Sequence, residues 1–383
     1  MPAKGGTQMP DVVVVGGGAI GLAVAWRLVG RGATVTVVDP SPGSGASCVA
    51  AGMLAPAGEA QFGEERLLTL ALESWRRYPE FVAELELATG CATGYRESGS
   101  LFVARDVDEW AALTREGEFR AGIGLDVVAM TSRECRALEP RLSPRIRGGL
   151  LADGDRQIDP RRLLTALNVV CERDGVSMVR ETATLACDGD RVTGVTTPER
   201  GQLAGDAVVL CAGCWSPLVA GLPPEAVPPV RPVKGQILRL RSREGESLTG
   251  HMIHGRDVYL VPRGDGRVVV GATVEERGYD TAVTAGAVHD LLRDARELIP
   301  DVAELEVEEV EAGLRPGTPD NAPLLGWSAV EGLAFATGHH RNGILLAPIT
   351  ADVMAALVCG EVMPDEAAPF TPSRFATAST VPA

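Results

Sequence analysis

The chain has 383 residues, 45% hydrophobic and 23% charged, with a formal net charge of −15. That length and apolar content suit two globular domains, each with its own core, and exclude an intrinsically disordered chain. The acidic balance speaks against nucleic acid or an anionic membrane as partner, because like charges repel.

Residues 1–9 are polar and read as a frayed terminus. An apolar run, Val12 to Val15, then flows into Gly16-Gly17-Gly18-Ala19-Ile20-Gly21, a helix over Leu22 to Val29, and a second apolar run, Val35 to Val38, that ends at Asp39. This is the pattern of a βαβ unit that holds an adenine dinucleotide. Gly16 permits the tight turn, Gly18 lets the backbone approach a pyrophosphate, and Gly21 lets the helix pack on the strand. The helix N-terminus suits an anion. Asp39 stands where a carboxylate accepts from a ribose 2′-hydroxyl, and its charge disfavours a 2′-phosphate. The charge-free segment Val12 to Ala25 is too short to span a bilayer, so a cytoplasmic protein without a membrane partner is expected.

Gly43 to Pro56, rich in small residues, reads as a loop leading into a short helix. Glu64 to Ala88 reads as a helical stretch interrupted near Pro79, Arg96 to Ala104 as a strand, and Asp106 to Gly122 as an amphipathic helix. Thr131 with Glu134 forms a capping box, and Asp159-Pro160 open a helix that Gly175 ends. From Ser177 the pattern turns to strands, with Arg191 to Thr197 alternating and Asp206 to Ala212 buried. Six prolines between Ser216 and Lys234 mark a crossover. Gln236 to Arg241, Val258 to Pro262 and Arg267 to Ala272 read as an antiparallel set. A helix over Ala285 to Leu298 and a strand over Glu304 to Ala312 follow. The last core segment runs from Leu333 to Ala336 through a glycine-bounded turn, Gly338 to Gly343, into a helix from Ile344 to Val358. The tail from Met363 reads as loose.

The eight cysteines are scattered, mostly in apolar runs, as reduced thiols acting as small hydrophobes. Cys211 and Cys214 form a CxxC, and His251 and His254 an HxxH. The spacing between the pairs matches no zinc finger, and the CxxC closes a strand instead of opening a helix. No metal site is expected.

The segments ASCVAAGMLAP, VPRGDGRVVVGAT, AGLRPGTPDNAPLLG and ATGHHRNGILLAP, in this order after the dinucleotide turn, resemble the glycine oxidases of the D-amino-acid oxidase family. The resemblance implies an α/β fold: a Rossmann-like FAD-binding domain with a second α+β substrate domain built on an antiparallel sheet. The first would comprise 9–90, 153–230 and 312–365, the second 91–152 and 231–311, with 366–383 a flexible tail. It further implies non-covalent FAD, small amino-acid substrates and O2 as reactants, a homo-oligomer, and a link to thiamine biosynthesis. By position, FAD would contact Ala19, Ile20, Asp39, Pro40, Ala46, Ser47, Ala51, Gly52 and Met53. Thr184 would lie by the adenosine half, and His339, His340, Arg341, Asn342, Gly343, Ile344 and Leu345 would wrap the flavin ring. Arg315 matches the arginine that holds the substrate carboxylate, Arg341 a second substrate arginine, and Tyr259 the tyrosine that donates to the same carboxylate. Met53 would also line the substrate site.

The physics of those residues agrees. A guanidinium grips a carboxylate through two parallel hydrogen bonds and stays charged when buried. The resemblance implies that hydride would pass from the α-carbon to flavin N5 without an obligatory side-chain base, giving an imine and then glyoxylate and ammonia, while O2 becomes H2O2. Two positions depart from the family pattern. A methionine is replaced by Val274, shortening one pocket wall, and a histidine by Asp257, changing charge near the entrance. Both leave glycine, sarcosine and D-alanine open as substrates. A quinone-linked D-amino-acid dehydrogenase, a sarcosine-type oxidase and a non-enzymatic flavin-binding module stand as alternatives.

Overall fold

The computed structural model describes residues 9–379, so all but Met9 of the terminus expected to fray lies outside them. A six-stranded sheet runs in the order Leu324–Trp327, Leu333–Thr337, Ala207–Leu210, Asp11–Val15, Thr34–Val38 and Ser177–Val179. Its neighbours pair parallel except for the edge strand Leu324–Trp327. Val12 to Val15 are all buried because both faces of the sheet are covered. One face carries the helices Ala19–Gly30, Glu65–Thr89, Pro160–Arg173 and Ala347–Val358 in a single apolar core. The other carries a three-stranded antiparallel sheet, Thr184–Asp188, Arg191–Thr197 and Gly201–Ala204.

An eight-stranded, mostly antiparallel sheet is built from Glu306–Gly317, Arg231–Arg241, Arg267–Gly271, Tyr259–Pro262, Met252–His254, Ser100–Ala104, Gly148–Ala152 and Val128–Thr131, in that order. Alternation gives it two different faces. Leu238, Leu240, Leu260, Val268 and Val270 pack under the helix Ala285–Leu298. Ile237, Val261 and Val269 instead meet Ala51 and Ala55 from the small-residue segment, with Met53 and Tyr259 packed against them.

Four local expectations change. The helix Glu65–Thr89 runs unbroken through Pro79. Proline removes the amide that would reach the carbonyl four residues back, and that carbonyl, Trp75 O, accepts instead from Arg156 Nη1 at 3.0 Å. The strand expected to stop at Ala312 continues to Gly317. It is an edge strand, so Pro316 needs no outward partner, and Arg231 to Arg241 pairs along its length. The helix expected from Ile344 begins at Ala347, after a 3₁₀ turn at His340–Asn342. The tail is docked up to Arg374: Ala367 and Phe370 are buried in the main core, and Arg374 Nε bonds Asp320 Oδ2 at 2.8 Å.

Candidate active site

The glycine turn is shaped by contact. Gly16 has φ +113°, and a Cβ there would sit 2.5 Å from Cys211 O; at Gly21 it would meet Gly16 O at 1.9 Å. No side chain substitutes for glycine at either position. Asp39 fastens the turn to the second strand, its carboxylate accepting from Gly17 N at 2.6 Å and Ser41 N at 2.7 Å. Gly18 and Ile20 are partly exposed in a turn whose other residues are buried. The helix behind Gly18 has no side-chain cap and no acid in its first turn. Its first amides therefore face outward, apart from Ala19 N, which donates to Ser47 Oγ at 3.1 Å. Ala46–Val49 forms one helical turn beside it, and Pro40 is exposed.

The apolar-lined face of the large sheet holds Arg315 and Tyr259, each lying over a glycine of a neighbouring strand. A Cβ on Gly235 would sit 2.3 Å from Arg315 Nη1, and one on Gly271, the partner of Tyr259, 2.5 Å from the Tyr259 hydroxyl. The two side chains can lie flat only because those positions carry no side chain. Arg315 donates to two backbone carbonyls, Lys234 O at 3.4 Å and Thr273 O at 3.2 Å, and among the described residues no carboxylate is hydrogen-bonded to it. Burial pushes the Tyr259 phenol up, against the pull of the neighbouring Arg315 charge. Met53 pairs with Gln157 in a two-residue strand and packs against the same apolar cluster as Tyr259. Gly52 precedes it at φ +76°, with Ile158 O where a Cβ would be; Gly52 O accepts from Ile158 N at 2.9 Å.

The third wall is the turn Gly338 to Leu346. Ser74 Oγ donates to Leu345 O at 2.6 Å and Tyr78 hydroxyl to Ile344 O at 2.8 Å, so the long helix holds the turn from behind. His339 is buried against Thr350 Oγ1 at 3.0 Å, and desolvation keeps it neutral, its pKa lowered to about 3. His340 sits at φ +47°. Burial and then the Arg341, Arg315 and Arg231 charges lower it to about 4. Its Nδ1, like Asn342 Oδ1, is buried without a hydrogen-bond partner. Arg341 bonds Glu59 through Nε, and through Nη2 reaches Glu59 O at 3.2 Å and Glu64 Oε2 at 2.7 Å. Burial raises Glu59 while Arg341 and Arg315 draw it back down. Neither glutamate was singled out in the sequence. Their role comes from a tertiary pairing that no local pattern announces, although Glu59 lies three residues beyond the small-residue segment.

A family model described as FAD dependent oxidoreductase matches residues 11–357. The chain belongs to that family. It is 35% identical to the bifunctional protein ThiO/ThiG of Synechocystis sp., over 97% of this chain and 55% of that protein. The chain thus spans about half the length of the first such relatives. It is 33% identical to the glycine oxidase of Geobacillus kaustophilus, over 96% of this chain and 98% of that enzyme. The crystal structure of the latter superposes with a TM-score of 0.88, covering 95% of this chain and 98% of that one.

The residues present fit the family's FAD. The open Gly18 with its uncapped helix suits a pyrophosphate, and Asp39 retains lone pairs for a ribose hydroxyl beyond its two amide bonds. The unpartnered His340 Nδ1 and Asn342 Oδ1 supply polar atoms at the ring end. Thr184 is exposed at the start of its strand, bridged to Ala220. Val274 is 74% exposed, next to Thr273, whose carbonyl accepts from Arg315 Nη1 at 3.2 Å. Asp257 is exposed. Cys211 and Cys214 are buried free thiols, with Cys214 pushed up to about 12 by burial. His251 pairs with Glu139 at 2.6 Å, and His254 stacks on Phe102. Among the described residues no His, Cys, Asp or Glu cluster has metal-binding geometry, and no helix is long and apolar enough to cross a membrane.

Proposed function

We propose that this chain is a cytoplasmic FAD-dependent oxidase of glycine or a similarly small amine or D-amino acid, acting in thiamine thiazole synthesis. The observation that carries this is Arg315. It is a guanidinium held flat on a glycine floor beside a phenol, with no carboxylate hydrogen-bonded to it among the described residues. Such a group is poised for a bidentate carboxylate, with the Tyr259 hydroxyl as a further donor. Arg315 and Arg341 are balanced by Glu59 and Glu64, so a zwitterion enters without adding net charge. Met53, Ala51 and Ala55 share one apolar cluster with Tyr259, an apolar surround for the substrate's α-carbon. FAD, when bound, supplies the hydride acceptor and is reoxidised by O2. The protein's part is to hold the α-carbon by its carboxylate, which converts a bimolecular encounter into an oriented one.

The same reading divides the chain into an FAD lobe, 9–90, 153–230 and 312–365, and a substrate lobe, 91–152 and 231–311, and takes the molecule to be a homo-oligomer. It is tested by anaerobic mixing with glycine, sarcosine and D-alanine while the flavin absorbance is followed. Bleaching, then peroxide on admitting air, is expected, with Arg315→Ala retaining flavin but losing the bleaching. Reduction of Arg315→Ala at the wild-type rate would overturn it, and bleaching without peroxide would favour the quinone-linked alternative.

A further inference from the structure

Lys234 is the sole lysine among the described residues, and its side chain is 1% exposed. A cation so buried is held only where its partners are exact in place, since desolvating it is costly. Its Nζ donates to Asp280 Oδ2 at 2.8 Å and to Ala282 O at 2.5 Å. Both acceptors belong to the loop from Thr273 to Thr284. The neck of that loop is cinched by one side chain. Gln236 Nε2 donates to Glu275 Oε1 at 2.7 Å and Gln236 Oε1 accepts from Thr284 N at 2.8 Å, while the Gln236 amide donates to Thr273 Oγ1 at 2.9 Å. The Lys234 backbone adds a reciprocal bridge with Glu275, 2.9 Å each way. The tip rests on the other sheet's connection: Tyr279 stacks on Trp215 at 4.5 Å and its hydroxyl donates to Cys214 O at 2.9 Å. This is a compact Ω-type loop with joined ends.

The loop is hydrogen-bonded to Arg315 through one of its carbonyls. Thr273 O accepts from Arg315 Nη1 at 3.2 Å, and the second carbonyl on the same nitrogen, at 3.4 Å, is that of Lys234 itself. We propose that Lys234 is a positioning residue for the substrate carboxylate: by pinning the loop through Asp280 and Ala282 it fixes the Thr273 carbonyl, and with it the angle of the Arg315 guanidinium. Lys234 touches neither substrate nor cofactor. Its effect falls on how well Arg315 presents two parallel N–H groups, and therefore on carboxylate binding more than on turnover. The inference rests on the reading of Arg315 given above.

The test uses the FAD-loaded protein in four variants, Lys234→Met, Lys234→Arg, Asp280→Ala and Arg315→Met. Acetate is the probe for calorimetric binding, and glycine the substrate for steady-state kinetics. Lys234→Met and Asp280→Ala should each raise the acetate Kd and the glycine KM about tenfold, as expected for a small misplacement of a binding group, with kcat within about threefold of wild type. Combining them should do no more than either alone, because they break one interaction. Lys234→Arg should recover part of the loss. Asp280 is half exposed, so Asp280→Ala carries the test even where Lys234→Met does not fold. Wild-type acetate binding in Asp280→Ala, alongside weakened binding in Arg315→Met, overturns the role of Lys234 alone. Unchanged acetate binding in Arg315→Met overturns the carboxylate reading and this one with it.

Discussion

Replacing Arg156 by Met should cost about 1.5–4 kcal/mol, and the size of that cost should depend on a residue 77 positions away in sequence, Pro79. The arginine has two jobs on the long helix. Its Nη1 reaches Trp75 O at 3.0 Å, the carbonyl that Pro79 leaves without an amide. Its guanidinium also lies 3.8 Å from the centre of the Trp75 ring. Losing the hydrogen bond strands a carbonyl, worth about 1–3 kcal/mol, and losing the cation over the ring about 0.5–1 kcal/mol more. In a Pro79→Ala background the amide of residue 79 satisfies Trp75 O, so only the ring contact should remain to be lost. The four proteins form a double-mutant cycle with a coupling of about 1–3 kcal/mol. Urea midpoints give the cycle, and hydrogen exchange over Glu65–Thr89 locates it. An Arg156→Met cost equal in both backgrounds, within about 0.5 kcal/mol, would refute the capping argument.

Three further outcomes are expected. Asp155 is buried and its pKa raised to about 7, chiefly by desolvation. The native state therefore binds a proton that the unfolded chain has released. Stability from this group falls as pH rises from about 4 to about 7 and stays low above that. Asp155→Asn should gain on wild type by on the order of 3 kcal/mol between pH 4 and pH 8 in urea unfolding, and parallel pH profiles would contradict this. His339, lowered to about 3, acts in the opposite sense, since stability is lost as pH falls below its unfolded value near 6.5. Gly235→Ala places a methyl 2.3 Å from Arg315 Nη1 and must displace the guanidinium. The glycine KM should rise at least tenfold with flavin content unchanged; an unaltered KM would show that the floor does not set the clamp.

What the sequence disclosed follows the range of the interactions involved. Caps closed within three residues were readable: Thr131 with Glu134 makes the expected box, and Asp159 accepts from the amides of Arg161 and Arg162. So was the glycine turn, where sterics act between near neighbours. Arg315, Tyr259 and Arg341 were located by resemblance, because their arrangement spans strands far apart in the chain. Pro79 misled because its remedy is supplied by a distant arginine. The tail misled because Phe370 finds its core only after the last helix is in place. Glu59, Glu64 and Lys234 gave no local sign, since a charge near a small-residue segment or before a glycine is ordinary until its partner is known.

The parallel sheet has a temporal consequence. Its central strand, Asp11–Val15, must pair with Ala207–Leu210, which in turn pairs with Leu333–Thr337, and Asp11 N bonds Asp206 Oδ2 across 195 residues. Asp11–Val15 is synthesised long before Ala207–Leu210 and Leu333–Thr337, so its core closes only once those later strands have followed. A nascent chain cut before Leu333 would hold the dinucleotide turn but lack the strand and helix that seat it, so cofactor capture waits for Leu333–Thr337 and Ala347–Val358. Until then, Val12 to Val15 are an unpartnered apolar segment, a template on which another chain could pair.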